Sequence, residues 1–214
     1  PTAGGVSRNL YTHFNVPEKG AILNNAHKVT NTQLAGYVQA NPNMVRGTAK
    51  LIVNEVTGSG RTAMNGFLEV AGDRAGVIVA NPNGIAVNGG GFLNTSRAML
   101  TTGRPIYDAS GRVTDVTVAG GRIQVAGKGL DASQTDQVDL LAQAIQVNAG
   151  IWAKEAHVVT GRNRIAYDGL QVTPLSETGN QNVADEPGVA LDVAAIGGMY
   201  ANRIYLVGTE KGLG

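Results

Sequence analysis

Apolar and polar positions alternate with a period of two along most of the chain. The runs KLIVNEV (50–56), GFLEVAG (66–72), GVIVA (76–80), RVTDVTVAG (112–120), GRIQVAG (121–127), AIQVNAGIWA (144–153), AHVVTG (156–161), VALDVAA (189–195) and NRIYLVG (202–208) all read as extended segments rich in aliphatic and β-branched residues. Each is bounded by Gly, Asn, Asp or Pro, residues that turn the backbone between strands. The pattern predicts an all-β chain. One segment, DASQTDQVDLLAQA (131–144), places Leu140 and Leu141 after a polar stretch and is expected to form a short helix that leaves the main architecture.

A slower pattern lies over the fast one. LAGYVQANPNMV (34–45) and RAGVIVANPNGI (74–85) share Ala-Gly, an alternating segment and Ala-Asn-Pro-Asn at an offset of forty residues. Self-similarity in an all-β chain points to a propeller with blades of about 40 residues, or to a β-solenoid with coils of about half that length. The aromatics favour the solenoid, since Trp152 is the one tryptophan and the six tyrosines follow no period. Small aliphatic side chains would stack inwards from coil to coil, with Asn and Gly at the corners. Forty residues then read as two coils that return the same turn to the same corner.

Within each Asn-Pro-Asn, proline holds φ near the value of the first central position of a type I turn, and the asparagine before it can accept a bond from the N–H two residues on. After Asn81-Pro82-Asn83, Gly84 extends the turn through positive φ and Ile85 restarts an inward-facing strand. In the other copy, Met44 follows Asn41-Pro42-Asn43.

Composition narrows the partners. With Lys+Arg 17 against Asp+Glu 16 and no basic run, the chain lacks the electrostatic footprint of a nucleic-acid binder. No cysteine is present, which removes disulfides, thiolate metal sites and cysteine nucleophiles. No segment approaches the ~18 consecutive apolar residues of a membrane-spanning helix. The opening PTAGGVSRNL lacks the layout of a signal peptide, so the expectation is a cytoplasmic protein or one whose signal has been removed. The 214 residues suit one domain.

Candidate chemistry is sparse. His13, His27 and His157 are far apart and form no His-Glu-x-x-His arrangement, so surface or half-buried positions are expected. Asp131, Asp136 and Asp139 cluster, and read as a solvated loop. Gly58-Ser59-Gly60 lacks nucleophile-elbow spacing, and VTGSGRT reads as a hairpin loop. Asn94-Thr95-Ser96 matches a glycosylation acceptor, but Asn94 fits a coil corner better. No catalytic residue, metal, cofactor or small-molecule substrate is expected.

The order NPNM, then VIVANPNGIAVNGGGFLNTSRAMLTTGRP, with ALDVAAIGGMYANRIYLVGTEKGLG at 190–214, resembles the amino-terminal secretion domain of two-partner secretion exoproteins, the family of filamentous haemagglutinins and contact-dependent growth-inhibition proteins. The resemblance spans nearly the whole chain. Met44 stands where the family usually has leucine, a swap that conserves volume and apolarity. Some growth-inhibition members carry a cysteine pair in the segment matching AVNGGG, which this chain lacks, and that points away from their subgroup.

The resemblance implies a right-handed parallel β-helix with an amino-terminal cap and extrahelical β-hairpins. Residues 1–214 would be the N-terminal secretion domain of a much longer exoprotein, and the tail GTEKGLG, with no polar capping coil, would lead into further coils. The implied route is the general secretory pathway, then recognition in the periplasm by the POTRA domains of a TpsB-type outer-membrane transporter, in a Gram-negative bacterium. Recognition by strand addition could precede folding. Asn41, Pro42, Asn43 and Met44, with Asn81, Pro82, Asn83, Gly84 and Ile85, are the expected secretion and folding motif. The isolated domain is expected to be monomeric. LIVNEV with GFLEV, and IYDASGRVTDVTV, are the expected extrahelical excursions. A polysaccharide-active β-helix enzyme and a directly adhesive surface module are the alternative readings.

Overall fold

The computed structural model describes residues 1–44, 46–176, 191–193 and 198–209. Alternation puts one side of every strand inwards, and the chain satisfies that by winding into a parallel solenoid of three faces. Coil one has β1 (Val6–Tyr11) on face 1, Val16 on face 2 and β2 (Ala21–Asn25) on face 3. A hairpin of β3 (Thr30–Thr32) and β4 (Gly36–Val38) and a 3-10 turn (Pro42–Met44) precede coil two, formed by β5 (Leu51–Val56), β6 (Thr62–Met64) and β7 (Phe67–Gly72). Coil three is β8 (Ala75–Ala80), β9 (Ile85–Val87) and β10 (Gly90–Leu93).

Coil four begins with β11 (Thr95–Thr101), leaves as β12 (Arg104–Tyr107) and β13 (Val113–Val118), and returns as β14 (Arg122–Val125) and β15 (Leu130–Ala132). Coil five is β16 (Gln137–Ala142), β17 (Ala144–Val147) and the first half of β18 (Gly150–Thr160). The second half of β18 opens coil six, followed by β19 (Asn163–Ala166), β20 (Val172–Pro174), β21 (Leu191–Val193) and β22 (Gly198–Gly208). Because β18 runs through the corner, faces 1 and 3 form one eleven-stranded sheet, and face 2 is a separate sheet of five strands.

The register explains the core. Ile52, Val77, Ala98, Val138 and Ala156 stack in one inward ladder on face 1, and Ile85, Ile123 and Ile145 do so on face 2. All are buried in a single cluster. Strands ~4.8 Å apart bring matching side chains into contact, and each stacked coil removes further apolar area from water at about 25 cal/mol per Å². At the first coil, Phe14 joins this cluster and Tyr11 packs on it, their rings 5.0 Å apart, which caps the core.

Face 1 is buried on both sides along its central strands, β5, β8, β11 and β16. The antiparallel sheet β12-β13-β19-β20 lies on its outside, and Val113, Val116, Val118 and Ile165 meet Val53, Ile78, Met99, Leu141 and Val159 in a second core. Double burial accounts for continuous apolar runs such as GVIVA. Polar clasps fix this sheet. Arg8 and the Tyr107 hydroxyl both donate to Glu55, and burial with that bond pushes the Tyr107 phenol far above its ordinary pKa. Arg97 Nε donates to Asp139 Oδ2 at 2.6 Å, and its guanidinium lies 4.2 Å from the Tyr167 ring centroid.

Several expectations are corrected. Residues 131–144 form no helix: β15 and β16 occupy them, because Val138 and Leu140 face the inner core while Leu141 faces the outer one. Asp139 is therefore no loop carboxylate but a fully buried partner of Arg97. LIVNEV and GFLEV are not a hairpin, since β5 lies on face 1 and β7 on face 3 of the same coil. VTGSGRT turns the corner between β5 and β6 rather than closing a hairpin. IYDASGRVTDVTV does leave the coil, as the antiparallel pair β12-β13. Of VALDVAA only 191–193 lie within the described residues, and 210–214 of the tail lie outside them.

The forty-residue echo is not two coils. Paired residues on face 1 are 25 apart from Leu51 to Gly76, 21 from Val77 to Ala98 and 18 from Val138 to Ala156, so an uninterrupted coil takes about twenty residues. From Ala98 to Val138 the step is 40, because β12-β13 is inserted there. The first copy lies in an insertion and the second in a regular coil.

Candidate functional site: the Asn-Pro-Asn corners

Both turns have the expected local geometry. Asn41 Oδ1 accepts the Asn43 N–H at 3.0 Å, and Asn41 O accepts that of Met44 at 3.0 Å. Asn81 Oδ1 and O accept those of Asn83 and Gly84, each at 3.0 Å. The amide nitrogen of the leading asparagine is thereby left free to reach another coil.

Where it reaches differs. Asn41 joins the end of β4 to the start of coil two. Its Nδ2 donates to Asn24 O at 2.7 Å and its backbone N–H to Ala26 O at 2.8 Å, so it clamps the insertion onto the end of coil one. Pro42 and Asn43 are exposed and Met44 is buried. Asn81 sits between β8 and β9, fully buried. Its Nδ2 donates to Gly60 O at 2.9 Å and Thr62 Oγ1 at 3.0 Å in coil two, while its N–H donates to Thr101 O at 2.9 Å in coil four. One residue thus bonds the coils on both sides of its own. Asn83 Nδ2 adds a bond to Gly58 O at 2.7 Å. Gly84 has φ +107°, and a Cβ there would stand 2.9 Å from Arg122 O. Ile85 is fully buried in the core ladder.

The structure does not bring the two motifs together at one corner; each staples its own. Sequence reasoning missed the partners, Asn24, Gly58, Gly60 and Thr62, and a third staple. Asn25, fully buried, donates to Ala49 O and Asp73 O at 2.9 Å. Asn94, expected at a corner, is there with φ 53°, and donates to Val70 O and Gly72 O at 2.8 Å. A polar residue ending an alternating strand, as in AILNN, is the available signal.

A polar cleft of about 720 Å³ opens between the β3-β4 hairpin and face 3, with Glu69 and Arg74 in its lining. Both are committed to structural bonds. The buried Glu69 accepts the N–H groups of Gln33 and Leu34, each at 2.8 Å, which anchors the hairpin tip. Arg74 donates to Asp136, Thr95 O and Gln134 O. Among the described residues no group of three His, Asp or Glu could hold a metal. His13 and His27 are exposed, and His157 is half-buried beside Glu155.

Comparison with known proteins gives a consistent result. Residues 1–214 match the profile of the TPS secretion domain. "Toxin CdiA" of Yersinia pestis is 48% identical over 217 residues, covering all of this chain and 6% of that protein. "tRNA nuclease CdiA-2" of Burkholderia pseudomallei (strain 1026b) is 46% identical over 215 residues, covering all of this chain and 7% of its own length. A crystal structure of a filamentous hemagglutinin secretion domain superposes with a TM-score of 0.90 at 34% identity, over 100% of this chain and 72% of that one. The missing cysteine pair therefore does not set the chain apart from proteins of the CdiA name, to which the similarity is strong. The chain belongs to the TPS secretion domain family of CdiA and filamentous-haemagglutinin exoproteins.

Proposed function

We propose that residues 1–214 are the secretion signal of a much longer exoprotein and direct it through a cognate TpsB-type outer-membrane transporter. The chain spans 6% and 7% of the two curated relatives described above, which supports a role in a longer protein. Delivery runs through the periplasm, where POTRA domains of the transporter recognise the domain. The signal works as a monomer and is not itself an enzyme; the nuclease of a relative's name belongs to that much larger protein.

One observation carries the reading further, to folding. Asn81 bonds coils two and four from coil three, so this one corner ties together the register of three successive layers. The periplasm offers no ATP, and each stacked coil buries further apolar area, so a nucleus with fixed register would template the later coils. Asn41 to Met44 close the insertion that separates coil one from coil two, and Asn81 to Ile85 join the layers after it.

The test is export of residues 1–214, behind a signal peptide, in cells with and without the transporter. Transporter-dependent release is expected, with Asn81→Ala and Asn83→Ala both released less and folding more slowly. Retention of a folded, correctly delivered wild-type chain by cells with a working transporter would overturn the transport reading. Normal release and folding rates in both variants would overturn the role of the corner.

A further inference from the structure

We propose that the corner between β8 and β9 carries a basic docking surface for an acidic polypeptide segment of the transporter's periplasmic domains; this rests on the transport reading above. Thr62, Ile85 and Ile123 are in register at the start of face 2 and point inwards. The residues one step earlier, Arg61, Gly84 and Arg122, therefore line up on the outside. Gly84 puts no side chain between the two arginines. Instead Arg61 Nε lies 3.2 Å from where a Gly84 Cβ would stand, so its guanidinium leans over the bare backbone of the Asn-Pro-Asn-Gly turn.

Charge is what selects the partner. Some exposed cations pair with carboxylates, Arg8 with Glu55, Arg74 and Lys154 with Asp136, Arg164 with Asp115, and others such as Lys19 and Lys28 do not, so it is their alignment at one corner that sets Arg61 and Arg122 apart. Arg61 and Arg122 are both exposed, and neither has a carboxylate partner among the described residues. Arg61 and Arg122 lie two coils apart, ~10 Å, between the ~7 Å and ~14 Å spacings of second and fourth neighbours on one side of an extended acidic segment, a mismatch that the long arginine side chains can absorb. Guanidinium groups bind carboxylates in a planar, two-point geometry, so such a segment would be held by charge and by register.

The experiment uses the folded 214-residue chain and the transporter's periplasmic domains, with affinity measured at low and physiological salt. Arg61→Glu with Arg122→Glu is compared with Lys19→Glu with Lys28→Glu, which changes net charge equally at exposed sites on other corners. The reversed corner should weaken binding by about tenfold or more and flatten its salt dependence, as expected for charges steering and orienting a complex. Arg61→Lys with Arg122→Lys should retain the salt dependence. If the Glu pair shifts the melting temperature, the Gln pair replaces it. Equal weakening by both Glu pairs means attraction without a site and overturns the proposal. Undiminished binding by the reversed corner does so too, and leaves backbone pairing with an edge strand as the mode of recognition. Should the wild-type chain show no transporter-dependent release, the transport reading falls as well; release that persists while the corner variants bind normally overturns the docking surface alone.

Discussion

The turn at Asn41 and the turn at Asn81 share a hydrogen-bonding scheme and almost nothing else. In both, one asparagine caps its own turn and sends its amide to a carbonyl outside it. Asn41 is partly exposed, bonds coil one alone, and ends in a residue whose side chain is buried. Asn81 is sealed from water, bonds two other coils, and ends in a glycine at φ +107°. The same tetrapeptide chemistry therefore serves as a clamp in one place and a keystone in the other, and the difference comes from what surrounds it.

Substitutions in matched pairs should bring this asymmetry out. The largest effect is expected from Gly84→Ala, about 3 kcal/mol in urea denaturation, since strain at positive φ adds to a Cβ 2.9 Å from Arg122 O. Asn81→Ala should cost about 2 kcal/mol, because it removes the partner of the buried Thr62 Oγ1 and the shorter of the two side-chain bonds to the half-buried Gly60 O. Asn41→Ala should cost about 1 kcal/mol, as water can reach the groups it abandons. The two alanine variants share no partner, so the double variant should be additive within about 0.5 kcal/mol; a larger coupling would mean that the corners form one unit.

Smaller still, Met44→Leu should change stability by under about 1 kcal/mol and leave release unchanged, since volume and apolarity are kept. Acid should not discriminate between the turns, which hold no titratable group. Arg164 holds the Asp115 carboxyl, and Arg74 with Lys154 that of Asp136, below the usual carboxylate range. The stability these pairs add is present above pH ~4 and lost as pH falls through the depressed values. Melting temperatures against pH should therefore fall in parallel for wild type, Asn41→Ala and Asn81→Ala.

Much of the fold was legible because strand periodicity is a local signal. KLIVNEV, GFLEVAG, GVIVA and GRIQVAG all became strands, with Ile52, Leu68, Val77 and Ile123 facing the core. Residues 131–144 misled because Leu140 and Leu141 are both buried, in different cores on opposite sides of one strand. A helix period and double-sided burial look alike over so short a span. The turns at 41–44 and 81–85 were readable from Asn, Pro and Gly, but their partners in a neighbouring coil were not, since most of those partners are backbone carbonyls, which leave no mark in the sequence.

By itself, the order of residues determined the strands, the inward faces and the turn geometry at both Asn-Pro-Asn sites. Each of these comes from steric and hydrophobic preferences acting over a few residues. Tertiary structure alone decided that the forty-residue echo falls at two unlike corners, that β5 and β7 lie on different faces, and that Asp139 and Arg97 pair beneath the antiparallel sheet. The reason is the insertions β3-β4 and β12-β13. They change the chain distance between stacked residues without changing their distance in space, so only the assembled coils set which residues meet.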